Sequence, residues 1–416
     1  MIRRMGAGGI AGLALALAAC GPATPAGTPS PTALATSSSS SSTATPAPTP
    51  TPTPTPVSPL AACATAPAGG TAAAWGFAVA QGSEFEVLST SGSVLNHAST
   101  SGSAAPVDVG VGQAGLYLYD ESTGELSVLG KTGAAQDLGT LIPTGGWSNT
   151  DSVSLAESPS GTCWIFSAVS YGGANALTGS ANSTTELWVG GPGISPPSLV
   201  ATLTRGNTTS TGGSAGGYQA LRWDPSGVLL GSDPTEVGGA GPFIDESYAF
   251  SVVVSMDPAT GAASAPLCSS GQFADEAADG SIACITGLGS DAKIVVTKPG
   301  GATTTVDTGS ASAGQVAFVG GTSAELTYCT AAASTNPNYY WSENLLSVQL
   351  GSPPTPLIQG DMTGGLEGPH AWFKLLGANS IIEIQGAGTS TNLVAVNLST
   401  GQQTTIAPAG DILGVL

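Results

Sequence analysis

The sequence predicts an all-β head built from repeated small antiparallel sheets, and three observations favour this fold class. The 416-residue chain holds 60 glycines and only 8% charged residues, a composition that suits short strands joined by many tight turns. No long apolar run combines a 3.6-residue period with helix caps, so helices should be scarce. Two short turn motifs recur along the chain, which indicates internal repeats.

The first element is a secretion signal, because a basic start, Met1–Arg4, precedes an uncharged apolar run, Gly6–Ala19. The run ends in Leu17-Ala18-Ala19-Cys20, which resembles the lipobox of bacterial lipoproteins. That resemblance implies a signal peptide over 1–19, cleavage before Cys20 and lipidation of its thiol, which would anchor the chain outside the cytoplasmic membrane. An ordinary secretory signal shares the basic start and apolar core, and Arg3-Arg4 also leaves a twin-arginine signal open.

The second element, residues 20–59, is predicted to be an unfolded linker. It consists almost entirely of Pro, Thr, Ser and Ala and includes an alternating Thr-Pro tract over 49–56. Such a segment has too few large apolar groups to offset the entropy of ordering. Alternating Thr-Pro favours extended polyproline II, so the linker should act as a semi-stiff stalk, and it is also compatible with O-glycosylation.

The third element is the head, residues 60–416, which is long enough for a large core and is acidic. Loss of Arg3 and Arg4 with the signal would leave 6 basic against 27 acidic side chains, a net charge of about −21. A surface of that sign repels phosphate backbones, so the sequence argues against nucleic-acid binding.

The first turn motif predicts hairpins. It occurs as Asp120-Glu-Ser-Thr-Gly124, Asp257-Pro-Ala-Thr-Gly261 and Asn397-Leu-Ser-Thr-Gly401, each between two strand-like runs. The Asp or Asn side chain can accept hydrogen bonds from amides two or three residues on, and the glycine can supply the positive φ that closes the turn.

The second turn motif leads into short apolar strands at Ser158-Pro-Ser-Gly161, Asp224-Pro-Ser-Gly227 and Ala277-Ala-Asp-Gly280. The segment Arg222–Leu229, whose sequence is Arg-Trp-Asp-Pro-Ser-Gly-Val-Leu, resembles the repeat of WD40-like, TolB-type β-propellers. This resemblance implies that the second motif is the inner turn of a blade and that the first is the outer hairpin.

Weaker inner turns near Gly70, Gly115, Gly321 and Gly377 bring the number of units to about seven. Spacings of about 40 to 65 residues fit four-stranded blades, so we expect a β-propeller with seven blades, six to eight being compatible with the spacing. Asp411–Leu416 has no blade of its own and should complete the first blade, whose other strands are Thr71–Ala80 and Ser83–Thr90. Two tandem β-sandwiches are the alternative fold.

Five cysteines besides Cys20 lie in the head, and an exported domain favours disulfides. Because the number is odd, at least one cysteine stays outside any intramolecular pair. Cys268 and Cys284 form the best local pair, whereas Cys63 could pair with either Cys163 or Cys329. The chain has no Cys-x-x-Cys pair and only two histidines, so a zinc site is not expected.

The sequence offers no convincing catalytic residue. Gly212–Gly216 matches the Gly-x-Ser-x-Gly pattern of a nucleophile elbow but lies in a Ser/Thr/Gly-rich stretch rather than between a strand and a helix. His97, placed in the connection after the first blade, and His370 are more typical of surface histidines. Only Arg205 and Arg222 remain in the mature chain, too few for the arginine triad of the sialidase propellers.

Carboxylates are the remaining candidates for chemistry. They occur in three groupings, namely Asp245-Glu246, Asp275-Glu276-Asp279 and Glu84/Glu86. Paired carboxylates serve glycoside hydrolysis at separations of about 5–9.5 Å, but neighbouring acids more often mark solvated turns. Calcium is the only ion that such oxygens suggest, and no EF-hand spacing is present.

Aromatic residues in a loop suggest binding instead. Tyr339, Tyr340 and Trp341 follow Asn336-Pro-Asn in the sixth unit, and longer insertions at Ser167–Thr185 and Pro234–Tyr248 interrupt the third and fourth. Loops on a rigid scaffold often carry function, and Tyr and Trp offer large amphipathic contact areas. Alternatively, Tyr339 and Trp341 alternate into the core of a strand.

Together these features predict a membrane-anchored, extracytoplasmic lipoprotein whose propeller binds an envelope protein or a glycan without catalysis. The alternative is an envelope hydrolase or lyase that uses carboxylates in the propeller mouth. A well-formed cluster of free carboxylates would favour the enzyme, and an aromatic, acid-poor mouth would favour binding.

Overall fold

The structure is a computed structural model, and its contacts group Ser58–Leu416 into a compact unit. It describes Cys63 and residues 74–99, 106–143, 150–171, 183–192, 194–205, 217–224, 227–234, 250–257, 260–269, 271–287, 289–309, 311–333, 335, 341–362, 373–375, 380–387, 390–408 and 411–416. Within these ranges no helix has the length and apolar character needed to span a membrane.

Strands dominate the described residues. In chain order they are β1 (Gly76–Gln81), β2 (Glu84–Ser89), β3 (Val94–Ser99), β4 (Val107–Gly112), β5 (Gly115–Asp120), β6 (Glu125–Leu129), β7 (Gln136–Thr140), β8 (Thr150–Glu157), β9 (Trp164–Tyr171), β10 (Ser183–Gly191), β11 (Ile194–Arg205), β12 (Gln219–Asp224), β13 (Gly227–Pro234) and β14 (Phe250–Met256). They continue as β15 (Gln272–Glu276), β16 (Ile282–Thr286), β17 (Lys293–Thr297), β18 (Thr303–Asp307), β19 (Ser312–Phe318), β20 (Glu325–Ala333), β21 (Trp341–Gln349), β22 (Thr355–Met362), β23 (Phe373–Leu375), β24 (Ser380–Ala387), β25 (Ser390–Asn397), β26 (Gln403–Pro408) and β27 (Asp411–Val415).

These strands form seven antiparallel units, which we call blades 1 to 7. Blades 2, 3, 6 and 7 each consist of four consecutive strands, starting at β4, β8, β19 and β23. Blades 4 and 5 belong to one seven-stranded sheet, β12 to β18, in which the pairing of Phe250 with Phe273 joins β14 to β15. The fold is therefore all-β and built from four-stranded units, as the turn motifs predict.

Blade 4 has an irregular outer edge where a regular fourth strand was expected. After Asp257–Gly261 the described chain contacts β14 through an isolated bridge at Ala263 and through amide bonds from Ser264 and Leu267, without forming a strand. Pro266 interrupts this edge and has no amide to donate, which shortens the ladder. Cys268 then forms a disulfide with Cys284 on β16, which joins the edge of blade 4 to blade 5.

Blade 1 closes the ring with both ends of the head. Its strand order is β27-β1-β2-β3, with β27 as the inner strand, as the orphan C-terminal segment predicts. Phe77 pairs with Val415 and Ala80 with Asp411, and Leu416 exchanges backbone hydrogen bonds with Trp75 and Gly76. The expected strand at Thr71–Ala80 is shorter at its start, because β1 begins at Gly76, and residues 71–73 lie outside the described ones.

Seven buried apolar clusters lie between the blades of the described structure, one at each interface around the ring. Phe77 and Val79 on β1 face blade 7, whereas Ala78 between them faces blade 2. Because successive side chains of a strand point to opposite faces, a blade in a ring buries both faces. The closed ring excludes two tandem sandwiches and makes the fold a β-propeller.

The turn chemistry of the first motif is confirmed in blade 2. Asp120 Oδ1 accepts hydrogen bonds from the amides of Ser122 and Thr123 at 2.8 and 3.3 Å, and Gly124 has a φ of 77°. The predicted position of this motif is right in blades 4 and 7, where it follows the third strand. It is wrong in blade 2, where it joins the second and third strands, because an Asx turn fits any tight hairpin.

The second motif is confirmed as the inner turn. Ser158–Gly161, Asp224–Gly227 and Ala277–Gly280 each join the inner strand of a blade to its second strand, and Gly115 and Gly321 mark the same connection in blades 2 and 6. Gly377 falls between β23 and β24 but, like Gly70, lies outside the described residues. Blade 1 needs no such turn, since the chain ends form its inner pair.

Candidate functional site

The two faces of the propeller carry different connections. Every inner strand that continues along the chain ends at an inner turn, so one face, which we call the inner-turn face, collects these turns. Because the strands of a blade alternate in direction, the connections from second to third strands and from one blade to the next lie at the opposite end, which we call the far face. Each predicted site residue can be assigned to one of these faces.

A charged cluster occupies the inner-turn face at blades 4 and 5. We call it the Arg222 cluster, and its members are Arg222, Asp224, Asp275 and Glu276. Arg222 Nε donates to Asp224 Oδ2 at 2.8 Å and Nη1 donates to Asp275 Oδ1 at 2.9 Å. Nη2 donates to the backbone oxygen of Glu276 at 2.8 Å. The guanidinium therefore joins the inner strand of blade 4 to that of blade 5.

Burial and the neighbouring negative charges shift the pKa of Arg222 in opposite directions. Burial by itself would lower the pKa of the guanidinium, but the negative charges of Asp275 and Asp224 outweigh it and raise that pKa above its ordinary value. Its side chain keeps 39% of its surface exposed, whereas Asp275 keeps 19%. Arg222 is thus held as a cation within an ion-pair network, which leaves few donors for a ligand.

Asp275 is fully occupied by protein groups. Besides the guanidinium, Oδ1 accepts the amide of Glu276 at 2.8 Å, and Oδ2 accepts the amide of Phe318 at 2.8 Å. Phe318 ends the inner strand of blade 6, so this one carboxylate connects three consecutive blades. A carboxylate that accepts three such bonds is placed to fix the blades rather than to exchange a proton.

Glu276 differs from the other two acids of the Arg222 cluster. Its carboxylate forms no hydrogen bond within the described structure, and its side chain is partly buried. Burial, together with the negative charge of Asp224, raises the pKa of Glu276 above its ordinary value of 4.5. A carboxyl group whose pKa is raised holds its proton to a higher pH, which is a property that a general acid needs.

A second partly buried acid bridges blades 2 and 3 at the same face. Glu157 Oε1 accepts the amide of Ala114 at 3.0 Å and the hydroxyl of Tyr117 at 3.1 Å. Burial raises the pKa of Glu157 above its ordinary value despite these bonds. Burial and the adjacent Glu157 also raise the pKa of Tyr117, so the phenol stays a donor. Glu157 precedes its turn as Glu276 does, and both acids lie where an inner strand ends.

Side chains of neighbouring blades also occupy inner-strand amides. The Ala220 amide donates to Ser154 Oγ at 2.7 Å, and the Tyr218 amide donates to Thr185 Oγ1 at 2.8 Å. These bonds join blade 3 to blade 4, as the Phe318 amide joins blade 6 to Asp275. Bonds of this kind satisfy backbone amides at the edge of a blade that would otherwise lack an acceptor.

The described strand ends that flank the predicted aromatic segment lie at the far face, opposite the Arg222 cluster. β20, the second strand of blade 6, ends at Ala333, and β21, the third strand, begins at Trp341. Tyr339 and Tyr340 lie outside the described residues, and nothing is described of the Trp341 side chain beyond its place at the start of a strand. The sequence did not separate the aromatics from the acids, because that separation depends on strand order.

The described strand ends that flank the two predicted insertions, in blades 3 and 4, lie at the far face as well. β9 continues to Tyr171 and β10 begins at Ser183, so the insertion predicted at Ser167–Thr185 is shorter and consists of 172–182. The predicted insertion at Pro234–Tyr248 lies between β13 and β14. Both are second-to-third connections, like the aromatic segment, and both lie outside the described residues.

The disulfides confirm one pair predicted from the sequence and decide between the two partners that the sequence left open for Cys63. Cys268 pairs with Cys284, and Cys63 pairs with Cys163 rather than with Cys329. Cys329 is buried between blades 6 and 7 and takes part in neither bond. Two disulfides indicate that the head folds in an oxidising compartment outside the cytoplasm. Cys20 lies outside the described residues.

The remaining candidate residues do not converge on a site. His97 is an exposed residue of β3, not of the connection after it as expected, because β3 continues to Ser99. His370, Ser214 and the pair Asp245-Glu246 lie outside the described residues. Among those that are described, no group of three or more His, Cys, Asp or Glu side chains could hold a metal ion.

Arg222 was not identified as a site residue from the sequence and was used only in the repeat motif and in the count of arginines. A signal was present, since Arg222 is one of two arginines in an acidic head and stands two residues before an aspartate at an inner turn. Its partner Asp275 was named among the acids, but the register that brings the two together comes from packing between blades.

Comparisons with known proteins find structural likeness without sequence relatives. No protein-family model matches the chain, and no curated protein matches it. Among solved structures, it is similar to an acylaminoacyl peptidase in complex with Z-Gly-Gly-Phe-chloromethyl ketone, at 10% identity and a TM-score of 0.48 over 78% of this chain and 48% of the peptidase. The chain thus spans about half the length of that peptidase.

Two bacterial structures show a likeness of the same kind. TolB from Acinetobacter baumannii is 10% identical with a TM-score of 0.39, over 72% of this chain and 65% of TolB. A protein from Lactobacillus plantarum is 15% identical with a TM-score of 0.43, over 82% of this chain and 97% of that one. The assignment of the propeller rests on the strand order and the seven inter-blade cores of this chain.

Proposed function

We propose that this chain is a lipid-anchored extracytoplasmic protein whose propeller binds an envelope protein or a glycan through its far face, without catalysis. In this proposal Cys20 carries the lipid, residues 20–59 form the stalk, and residues 60–416 form the binding head. The stalk would hold the head at a distance from the membrane.

The observation that carries the proposal is the position of the described strand ends that flank the three predicted loops. In blades 3, 4 and 6 the second strand ends, and the third begins, at the far face: these strand ends are Tyr171 and Ser183, Pro234 and Phe250, and Ala333 and Trp341. We infer that the three loops, one of which carries Tyr339, Tyr340 and Trp341, form the binding surface at this end of a rigid scaffold. Rigid scaffolds with clustered loops are a common basis for recognition.

The chemistry of the inner-turn face supports binding over catalysis. Glycoside hydrolysis requires two carboxylates, one of them as a nucleophile or base. In the Arg222 cluster, Asp224 is paired with the guanidinium and both oxygens of Asp275 are occupied. Only Glu276 keeps an unbonded carboxylate, so the cluster lacks the second partner.

A matched pair of photo-crosslinkers tests the proposal in cells. Thr335 is exposed at the far face, and Ala278 is exposed in the inner turn of blade 5. A benzophenone amino acid at Thr335 should yield adducts with an envelope protein or glycan, whereas the same probe at Ala278 should not. Adducts from Ala278 alone, or from neither position, would contradict binding through the far face.

The raised pKa of Glu276 keeps the hydrolase or lyase as a second candidate function. If that function is correct, Glu276→Gln should abolish turnover of envelope glycans by the purified mature chain. Activity that is retained in this variant, or no turnover by the parent chain, would argue against it.

A further inference from the structure

We propose that the Cys63–Cys163 disulfide carries tension from the stalk directly into blade 3, so that pulling on the stalk does not load the closing seam of blade 1. The inference deepens the proposed anchorage, since tension on an anchored head enters through its N-terminal segment. Its mechanical part can be tested without lipid or ligand.

The disulfide is built into the core rather than placed at the surface. Cys63 is fully buried and packs in the apolar cluster between blades 3 and 4, with Trp223, Met256 and Ile165 among its members. Its partner Cys163 immediately precedes β9, the second strand of blade 3, which pairs with both β8 and β10. Force that enters at Cys163 therefore meets a strand held on both sides.

The first strand after the stalk segment is in a different position. β1 starts at Gly76, 13 positions after Cys63 in the chain, and belongs to blade 1 rather than to blade 3. It pairs with β27 through Phe77, Ala78, Val79 and Ala80, with a register shift in the middle. This short ladder closes the ring, and without the disulfide a pull on the stalk would act on it first.

The covalent bond removes the segment between Cys63 and β1 from the path of the force. A stretched chain passes from Cys63 to Cys163 through the sulfurs, and the residues between them stay slack. The two cysteines are separated by 100 positions in sequence. The strands β1 to β7 all fall within that stretch of chain. Blade 2 and the pairing of β1 with β27 in blade 1 therefore lie outside the path of the force.

Single-molecule pulling on the full mature chain tests this path. One handle replaces the lipid at the N-terminus, and the second is attached through a click-reactive residue at Ala262, which is exposed at the outer edge of blade 4. Three chains are compared: the parent, the double variant Cys63→Ser with Cys163→Ser, and the matched control Cys268→Ser with Cys284→Ser, whose disulfide lies beyond the second handle.

The parent and the matched control should give the same first unfolding force and the same final length. The Cys63→Ser/Cys163→Ser variant should first yield at a lower force. Its fully extended length should exceed that of the parent by about 340 Å, since the 100 hidden residues extend by roughly 3.4 Å each. If serine is not tolerated at these buried positions, Cys63→Ala with Cys163→Ala gives the same comparison.

The proposal is wrong if the variant without the Cys63–Cys163 bond shows the added length but an unchanged first unfolding force. The seam would then be no weaker than blade 3. An unchanged length would overturn it as well, because the bond would not be in the path. Neither outcome depends on lipidation at Cys20, which fatty-acid labelling tests separately.

Discussion

Arg222 Nη1 lies 2.9 Å from Oδ1 of Asp275, and this ion pair joins the inner strands of blades 4 and 5. Arg222 belongs to blade 4, whose outer edge is not a full strand. Asp275 also accepts the amide of Phe318 in blade 6, so a single aspartate connects three blades at the inner-turn face.

Removal of Asp275 should therefore cost more stability than removal of Asp224. Asp275→Ala leaves the Phe318 amide and a guanidinium donor without their acceptor, and it should lower the free energy of unfolding by about 3 kcal/mol. Asp224→Ala removes one partly exposed pair and should lower it by about 1 kcal/mol or less. Urea unfolding measures both, with the exposed Asp291→Ala as the control. Equal losses for the two variants would show that Asp275 is not a shared anchor.

Closure of the ring should depend on the last strand. Deletion of Asp411–Leu416 removes the inner strand of blade 1 and exposes the apolar surface of Phe77 and Val79, so cooperative melting should be lost or should shift to a much lower temperature. A synthetic peptide covering 409–416 should restore part of the transition when added in excess. An unchanged melting temperature in the truncated chain would mean that β27 does not close the ring.

The partly buried Glu157 should make the free energy of unfolding depend on pH. Its pKa is raised in the folded chain, so the fold binds a proton more tightly than the unfolded chain does. This stabilising contribution is complete below the ordinary pKa of 4.5 and disappears as the pH rises through the raised value. The free energy of unfolding should thus fall with rising pH in that window, and Glu276 adds to the effect in the same direction.

Glu157→Gln isolates the part due to Glu157. The amide oxygen can still accept from Ala114 and Tyr117, so the variant should be at least as stable as the parent near neutral pH and should vary less with pH. Denaturant unfolding at several pH values from 4.5 upward measures this. The lowered pKa values of Asp120 and Asp279 act below 3.8 and do not interfere. A parent and a Gln variant with parallel pH profiles would refute the role of Glu157.

The anchor prediction rests on Leu17-Ala18-Ala19-Cys20. Cys20→Ser should abolish labelling of the protein by a fatty-acid probe and should block lipoprotein-type processing, because the lipid is attached to the missing thiol. Cys163→Ser serves as the control, since it removes a cysteine of the head and should leave labelling intact. Labelling that persists in Cys20→Ser would place the lipid elsewhere or exclude it.

Local chemistry made much of the fold predictable. Asp or Asn followed by Gly four residues later determines a hairpin by itself, and Asp120 and Gly124 behave as that chemistry requires. The lone strand Asp411–Leu416 indicated closure, because an apolar strand needs a partner. The position of the hairpin within blade 2 was not predictable, since the turn is the same in any tight hairpin.

The sites were less predictable because they depend on neighbours that are distant in sequence. Arg222 and Asp275 are separated by 53 residues, and only the packing of adjacent blades brings them together. The partner of Cys63 could not be chosen for the same reason. Separation of the aromatic segment from the Arg222 cluster follows from strand direction within each blade, which the turn motifs alone do not give.

Binding through the far face is the central claim, and it is tested most directly by the affinity of the fluorescently labelled mature chain, lacking its lipid, for isolated cell envelopes. Tyr340→Ala should weaken this binding about thirtyfold, as expected for the loss of about 2 kcal/mol at a hot spot, while the melting temperature stays within a few degrees. Glu276→Gln, on the inner-turn face, should leave the affinity unchanged. If Tyr340→Ala instead lowers the melting temperature and leaves the affinity of the folded protein unchanged, Tyr340 is a core residue and the claim is wrong.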